Sequence, residues 1–536
     1  MQINSVCIVG GGSAGWMTAA WLAKKLPWLE IKLVESASMP TVGVGESTTM
    51  RFKTFIKGME IKDEDFMPAC DATYKTSIQF TDFRQKGDPP FQYPFGWQDF
   101  TGMEHRDLKN NIWFLVKELG LADIEPHTYA EWYNPHTLLL KQNKFTKDHD
   151  IWGDKGMEGT VAYHFNTHKF GQWLRQHHCQ SVEHIIADVD GFITGDMGVD
   201  YLKSSVGDIK ADMYIDCTGF KAGIIGQYTK YIDFSPKLWV DKCIPVRLPY
   251  KDKNAQLTTV TDNCALGNGW VYTIPNWNSI GSGYVYSSKY VSYSEALAEF
   301  KDHLRTLGYD PDELTFAKEL TLKVGRHEKA WVGNVASVGL SYGFIEPLES
   351  NGLETVINNL QYLTHTLKMR KGHVTRKFIE IFNKKCNFFF DNFSDFIILH
   401  YYLSERTDTP FWKDITNTDF SPYNTNDELG EAFNEQAFRS LNAVPNGTQY
   451  ISAGMNVNPI IKDIYEASMK WQLEEDIKDL TKIVSEKAKQ ITTWNDSISK
   501  IPTTPYEWLK ENIYKDADDS AEINEEYKAW LARTKS

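Results

Sequence analysis

No apolar run in this chain approaches the ~20 residues that span a bilayer, so a membrane-embedded protein is not expected. Paired cysteines are missing too. The seven present (Cys7, Cys70, Cys179, Cys217, Cys243, Cys264, Cys386) are scattered, with no Cys-x-x-Cys. An odd, unpaired set argues against a disulfide framework and for a reducing compartment. Basic residues are the minority, 57 Lys+Arg against 71 Asp+Glu, for a net charge of -14. That balance repels polyanions and disfavours general nucleic-acid binding, while leaving room for one local cleft that holds a dinucleotide. Internal repeats, low-complexity tracts and obvious flexible linkers are also absent. Residues 1–12 are apolar but lack a basic leader and run straight into a glycine loop. They read as the first strand of a cytoplasmic protein rather than a signal peptide.

The 536 residues suffice for two or three packed units. Hydrophobic residues at 42% and charged residues at 24% are ordinary globular proportions. Aromatic content is 13%, with 17 Trp. Composition alone favours a ring-rich core over a pocket that stacks a flat ligand.

Residues 5–9 form a short apolar run ending at Gly10-Gly11-Gly12-Ser13-Ala14-Gly15. A helical stretch over 16–26 follows, closed by Pro27, and a second strand over 31–34 ends at Glu35. Strand, glycine loop, helix, strand and acid in register predict a dinucleotide-binding β-α-β unit. Gly10 permits the tight turn, Gly12 lets a pyrophosphate approach the backbone, and Gly15 lets helix and strand pack closely. The helix N-terminus then faces the phosphates, and Glu35 is placed to accept from a ribose hydroxyl. Residues 211–219 and 335–340 read as further strands of the same layer, and 270–275 and 279–287 as β-rich insertions. From about residue 370 the pattern turns to long amphipathic helices. The expected fold is α/β, Rossmann-like. A core over 1–370 carries an inserted substrate-side sheet, and a mainly helical subdomain over 371–536 packs on it.

Three further places carry chemistry. Gly43-Val44-Gly45-Glu46-Ser47-Thr48 follows the second strand closely enough to line a cofactor. Residues 71–83 alternate like a half-buried strand, with Tyr74, Ile78 and Phe80 on one face and Lys75, Ser77 and Gln79 on the other. On pattern alone Lys75 is a solvated strand residue; enclosed, it would be a strong donor with a reactive amine. In 343–352 (GFIEPLESNG), Glu349 and Ser350 precede a helix whose N-terminus, at Asn351-Gly352, could hold a small anion. On pattern alone an ordinary acidic helix cap ranks first. His164 and His168 sit four apart, as metal ligands on one helix face would, but nothing nearby completes a site and structural roles are expected. His177-His178-Cys179 reads as a surface feature.

Taken together, the glycine loop, GVGEST (43–48), ATYKTSIQF (72–80), AYHFNTHKF (162–170), IDCTGF (215–220), GYVYSS (283–288) and EPLESNG (346–352) resemble the flavin-dependent halogenases, which include the tryptophan halogenases. The likeness spreads over most of the first four hundred residues. It implies Lys75 as the catalytic lysine that engages hypohalous acid, and Glu349 as the glutamate that polarises that species or takes the arenium proton. It implies Asn351 and Gly352 as the backbone cradle for halide, and Gly10, Gly12, Ser13, Ala14, Gly15, Glu35, Gly43, Gly45, Glu46, Ser47, Leu340 and Ser350 as cofactor contacts. Phe411 and Trp412 match substrate-stacking rings. FAD, used as FADH2, and a halide ion (chloride, bromide or iodide) are the implied cofactor and co-substrate. A separate flavin reductase is the implied partner, a homodimer is expected by analogy, and no metal, nucleic acid or membrane is called for. The physical logic is containment: hypohalous acid is indiscriminate, so it is made and used in separate enclosed sites.

Three departures qualify the likeness. The family's Trp-x-Trp-x-Ile-Pro reads Trp270-Val271-Tyr272-Thr273-Ile274-Pro275, Asn351 stands where threonine is usual, and Thr407 replaces a glutamate that contacts the amine of tryptophan. Losing that carboxylate removes a charged anchor for a zwitterion. An indole, phenol or similar electron-rich arene is therefore expected ahead of free tryptophan. The competing readings are an FAD-dependent aromatic monooxygenase, needing no Lys75–Glu349 pair, and a flavin-binding protein without turnover.

Overall fold

The computed structural model describes residues 1–37, 46–96, 112–118, 120–147, 150–152, 156–418, 447–457 and 473–515. Strand β1 (Ser5–Val9) is almost wholly buried, as its unbroken apolar run requires, and lies at the centre of a six-stranded sheet. It pairs in parallel with β2 (Glu30–Glu35) on one side and with Met213–Asp216 on the other. Strand order thus reverses beside β1, at the switch point where doubly wound sheets bind ligands. Helix α1 runs Ser13–Lys25, so it begins within the glycine motif rather than at Trp16. The residues with helical composition start later, but Ser13 and Ala14 close the first turn: the Trp16 N–H donates to the Gly12 carbonyl at 3.0 Å.

The alternating segment 71–83 is not one strand. It splits into β3 (Thr73–Lys75), in a three-stranded sheet with Glu46–Ser47 and Ala162–Phe165, and β4 (Ser77–Thr81), in a seven-stranded sheet. The break is at Thr76, whose N–H donates to the Thr259 carbonyl at 2.7 Å and whose carbonyl accepts from Phe95 N–H at 2.9 Å. The chain therefore passes from one sheet to the other directly after Lys75. Strand β5 (Phe91–Pro94) edges the larger sheet beside β4.

Helix α2 (Gly352–Lys368) starts where its glycine suggested, and α3 (Arg376–Tyr402) follows after a turn with Lys371 at φ +44°. Among the described residues beyond 370, every regular element is helical. The inner stretch of α3, with Phe390, Phe393, Phe396, Ile397 and Ile398 buried, joins the same hydrophobic core as β1 and α1. Burying that stripe, at about 25 cal/mol per Å² of apolar surface, seats the last turn of α3 against the 343–352 loop. All seven cysteines are free, and no helix among the described residues is long and apolar enough to cross a membrane.

Candidate active site

Lys75 is fully buried, not solvated. Alternation predicts one face of a strand correctly, but here both faces of β3 are covered. The Lys75 Nζ donates to Ser47 Oγ at 2.7 Å and Ser350 Oγ at 2.8 Å, and lies 5.0 Å from the centre of the Phe95 ring. Among the described residues no carboxylate is within ion-pair distance of it. Burial pulls the amine down to about 7, against the opposing pull of Glu349, Glu46 and Glu354.

Glu349 is also buried, in the loop that leads into α2. Its Oε1 is 2.8 Å from His400 Nε2, on the last turn of α3. Burial raises its carboxyl above the ordinary carboxylate range, while the His400 hydrogen bond and charge, then Lys75, oppose that rise. An ordinary acidic helix cap does not describe this loop. Ser350 adopts φ +58°, a left-handed conformation that is unfavourable for a non-glycine residue. The kink sends the hydroxyl of Ser350 to Lys75 and the carboxyl of Glu349 to His400. Side-chain amides brace the loop: Asn263 donates to the Leu348 carbonyl at 2.7 Å and Asn351 to the Glu346 carbonyl at 3.1 Å. The Asn351 side chain therefore leaves the α2 N-terminus uncapped.

Gly352 faces Glu46. A Cβ at 352 would come within 3.2 Å of Glu46 Oε1, and burial raises Glu46 to about 7. A carboxyl that is substantially protonated near neutrality does not repel an anion at this helix end as a carboxylate would.

The glycine loop has the geometry its spacing implies. A Cβ at Gly10 would be 2.4 Å from the Cys217 carbonyl oxygen, and one at Gly15 only 1.9 Å from that of Gly10. At Gly12 an added Cβ would meet nothing within 4 Å, and no side chain caps α1. Packing thus forbids side chains at two positions, and open space fronts the helix N-terminus at the third. A dinucleotide pyrophosphate fits that cradle. Glu35 closes over the loop at Gly11 and is bonded to His184 Nε2 at 2.8 Å. Ser13 Oγ donates to the Thr167 carbonyl at 3.2 Å, and the cleft in front is lined by Gly11, Ser13, Trp16, Glu35, His168 and Arg175. Ala14 sits against Gly339, beside the exposed Leu340. Gly43 and Gly45 lie outside the described residues.

Phe411 and Trp412 are both fully buried. Phe411 meets Tyr290 edge-on at 5.5 Å; Trp412 lies 5.9 Å from Tyr401 and donates from Nε1 to the Leu266 carbonyl at 2.6 Å. The rings beside Lys75 and Glu349 come from other segments: Phe95 at Lys75, and Phe80 and Phe396 against His400 at 4.9 and 5.0 Å. Thr407 is exposed between the paired Arg406 and Asp408. Tyr272 is buried over Gly283, its cross-strand partner, where a Cβ would be 2.5 Å from the tyrosine oxygen.

Sequence spacing links several residues of the cluster to no partner. His400 opens the 400–412 segment, which resembles the family's substrate-side stretch, yet nothing in that stretch ties it to Glu349. Glu346 is buried, accepts from Tyr401 OH at 2.5 Å and is pushed up to about 8 by burial, while Trp270 Nε1 donates to that same hydroxyl at 3.1 Å. The histidine pair resolves otherwise than one helix face. His164 is on the strand Ala162–Phe165, bonded to Thr261 Oγ1 at 2.8 Å, and His168 is on the helix Thr167–His178. No metal-binding group of His, Cys, Asp and Glu exists among the described residues. Cys179, expected at the surface, is buried, and His177 and His178 flank Trp173 at 5.1 Å each.

Residues 5–460 match the family model for tryptophan halogenases. The tryptophan 7-halogenase RebH of Lentzea aerocolonigenes is 31% identical over 442 residues, 77% of this chain and 78% of that protein. Among solved structures, the apo form of VirX1 superposes with a TM-score of 0.87 at 36% identity, covering 96% of this chain and 100% of that one. BrvH, a flavin-dependent halogenase from Brevundimonas sp. BAL3, gives a TM-score of 0.81 at 25% identity, covering 95% and 99%.

Proposed function

The chain belongs to the tryptophan halogenase family, and from that premise we propose that Lys75 and Glu349 direct electrophilic halogenation of an uncharged, electron-rich arene of indole or phenol type. The observation that carries this reading is the state of Lys75: an enclosed amine spent on two serine hydroxyls instead of on a carboxylate. An ion-paired lysine would be an inert strut. A desolvated amine near its neutral form can hydrogen-bond hypohalous acid or attack its halogen.

The cofactor is proposed to lie on Gly10, Gly12, Ser13, Ala14 and Gly15, with Glu35 at the ribose, Leu340 alongside, and the 43–47 segment and Ser350 toward the flavin. Bound and reduced, FAD supplies the two electrons that let O2 oxidise halide to hypohalous acid; a separate reductase is proposed to recharge it. Asn351 and Gly352 are proposed to hold the halide by backbone N–H groups at the start of α2, with backbone donors making up for the unusual Asn351 side chain. Lys75 orients the electrophile over the arene, and Glu349 takes the ring proton. Phe411 and Trp412 are proposed to back the substrate side through Tyr401. The exposed Thr407 leaves no carboxylate at that position for an ammonium group, which favours an uncharged ring over free tryptophan. The seven free thiols support a cytoplasmic site of action. The division near residue 370 is proposed as a core and a substrate-side helical subdomain.

The test supplies purified protein with FAD, reductase, NADH and a panel of indoles and phenols, with chloride, bromide and iodide in separate reactions. Halogenated product that disappears in Lys75→Ala is expected. Oxygenated product without halogen would move the assignment to an aromatic monooxygenase. Halogenation undiminished in Lys75→Ala would mean leaked hypohalous acid and would remove Lys75 from the mechanism.

A further inference from the structure

Sequence alone assigns His400 no role, yet its ring is fully buried and both of its nitrogens are engaged. Its Nδ1 lies 2.9 Å from the Phe396 carbonyl oxygen, one helical turn back on α3. A carbonyl only accepts, so Nδ1 carries a hydrogen. The other nitrogen, Nε2, is 2.8 Å from Glu349 Oε1. With Nδ1 protonated, three arrangements make that contact a hydrogen bond. A neutral imidazole accepts from the carboxylic acid, an imidazolium donates to the carboxylate, or an imidazolium donates to a carboxyl protonated on Oε2. Each places one proton between the two groups.

We propose that His400 is the positioning residue of Glu349, fixing its rotamer and sharing one proton with it, so that the base meeting the arene is a Glu349–His400 pair. This rests on the reading of Glu349 as the base. The backbone of α3 clamps the imidazole at Nδ1, while Phe80 packs tilted and Phe396 edge-on against its ring at 4.9 and 5.0 Å. Glu349 Oε1 is thereby tied down and Oε2 is left for the substrate. In the step itself, the arenium C–H bond breaks and its electron pair restores the aromatic ring. The proton goes to Oε2, and the shared proton rests on Nε2. The pair ends as carboxylic acid and imidazolium, and later returns one proton to solvent.

The partner answers a physical difficulty. An isolated carboxyl this deeply buried would stay protonated and could not act as a base. Burial does raise Glu349, and the contact with His400 is the largest influence opposing it. The other charged or titratable groups facing the pair are Lys75 on β3, Glu354 on α2 and Tyr93 on β5, with Glu46 acting on Lys75 from two strands away. Glu354 is itself paired with Arg51 at 3.0 Å.

The experiment compares wild type, His400→Gln, His400→Asn and Glu349→Gln, all reconstituted with FAD and reductase. Both amides can donate to Glu349, but neither can carry its proton. The expected result is a kcat lower by about 10- to 100-fold with KM little changed. The acidic limb of the kcat profile should move to higher pH, because Glu349 loses the partner that favours its ionised form. A kinetic isotope effect should also appear with substrate deuterated at the halogenated carbon, as proton removal becomes rate-limiting. If Glu349→Gln is inactive while both His400 variants keep wild-type kcat and pH profile, the inference is overturned and the reading of Glu349 stands. A lower kcat with neither a shifted limb nor an isotope effect reduces His400 to packing and overturns it equally. If Glu349→Gln is fully active, the underlying reading of Glu349 fails instead. Should His400→Gln fold poorly, His400→Asn carries the same comparison.

Discussion

At the glycine loop after β1, side chains are missing where the cofactor is proposed to come close. At Lys75, side chains with charge are packed where solvent cannot reach. The loop works through backbone: N–H groups at the start of α1, open space in front of Gly12, and contacts at Gly10 and Gly15 too close for any Cβ. The Lys75 pocket works through a buried amine lowered, and carboxyls raised, by desolvation, with His400 bonded to one of those carboxyls. The difference teaches how each tolerates change. Substitution in the loop acts through volume, whereas substitution in the pocket acts through charge and proton position.

The largest expected effect is in the pocket. Lys75→Ala should lower halogenated product at least ~10³-fold, within the span of losses for a positioned catalytic group, with FAD binding unaltered. Loss of flavin binding along with activity would break the distinction between the two regions. Next is Gly15→Ala, whose Cβ would press on the Gly10 carbonyl. It should cost roughly 1–3 kcal/mol or more by overpacking and abolish flavin retention, as read by urea unfolding and by flavin absorbance after desalting.

The pH response comes third and concerns the pocket alone. Lys75 is lowered to about 7, so its neutral amine becomes more abundant as pH rises through that range, and the raised Glu349 carboxyl likewise ionises further as pH rises. Product formation at saturating substrate should fall toward about tenfold per pH unit below pH ~7, while FAD affinity over the same range stays flat. A flat rate profile would show that neither group titrates in turnover. The smallest expected effect is Gly12→Ala, which meets no atom in the fold. Its apo stability should stay within about 0.5 kcal/mol of wild type, while its FAD dissociation constant rises. An unchanged FAD affinity would mean that the open space at Gly12 is not where the pyrophosphate lies.

The dinucleotide unit was legible because its parts are consecutive. Turn, close approach and helix packing are imposed within a few residues of one another, so spacing alone encodes them. The start of α2 at Gly352 was legible on the same ground. Lys75 was visible as a residue but not as a buried one, because alternation describes a strand and not what covers it. Thr76 turns the chain into a second sheet, and that turn depends on Thr259 and Phe95. The assigned substrate rings show the same limit: Phe411 and Trp412 are packed against Tyr290, Tyr401 and Arg406, and local sequence holds no record of those neighbours.

By itself, then, the sequence determined the sheet-and-loop architecture at β1 and the halogenase resemblance, and singled out the lysine and glutamate now proposed to act, since each is a short-range pattern. Only the tertiary structure decided their chemical state. Lys75 meets Ser350 across 275 positions of chain, and Glu349 meets His400 across 51. Such contacts exist only after the core of α3 has packed, and the desolvation that lowers Lys75 and raises Glu349 is a property of that packing and of no single segment.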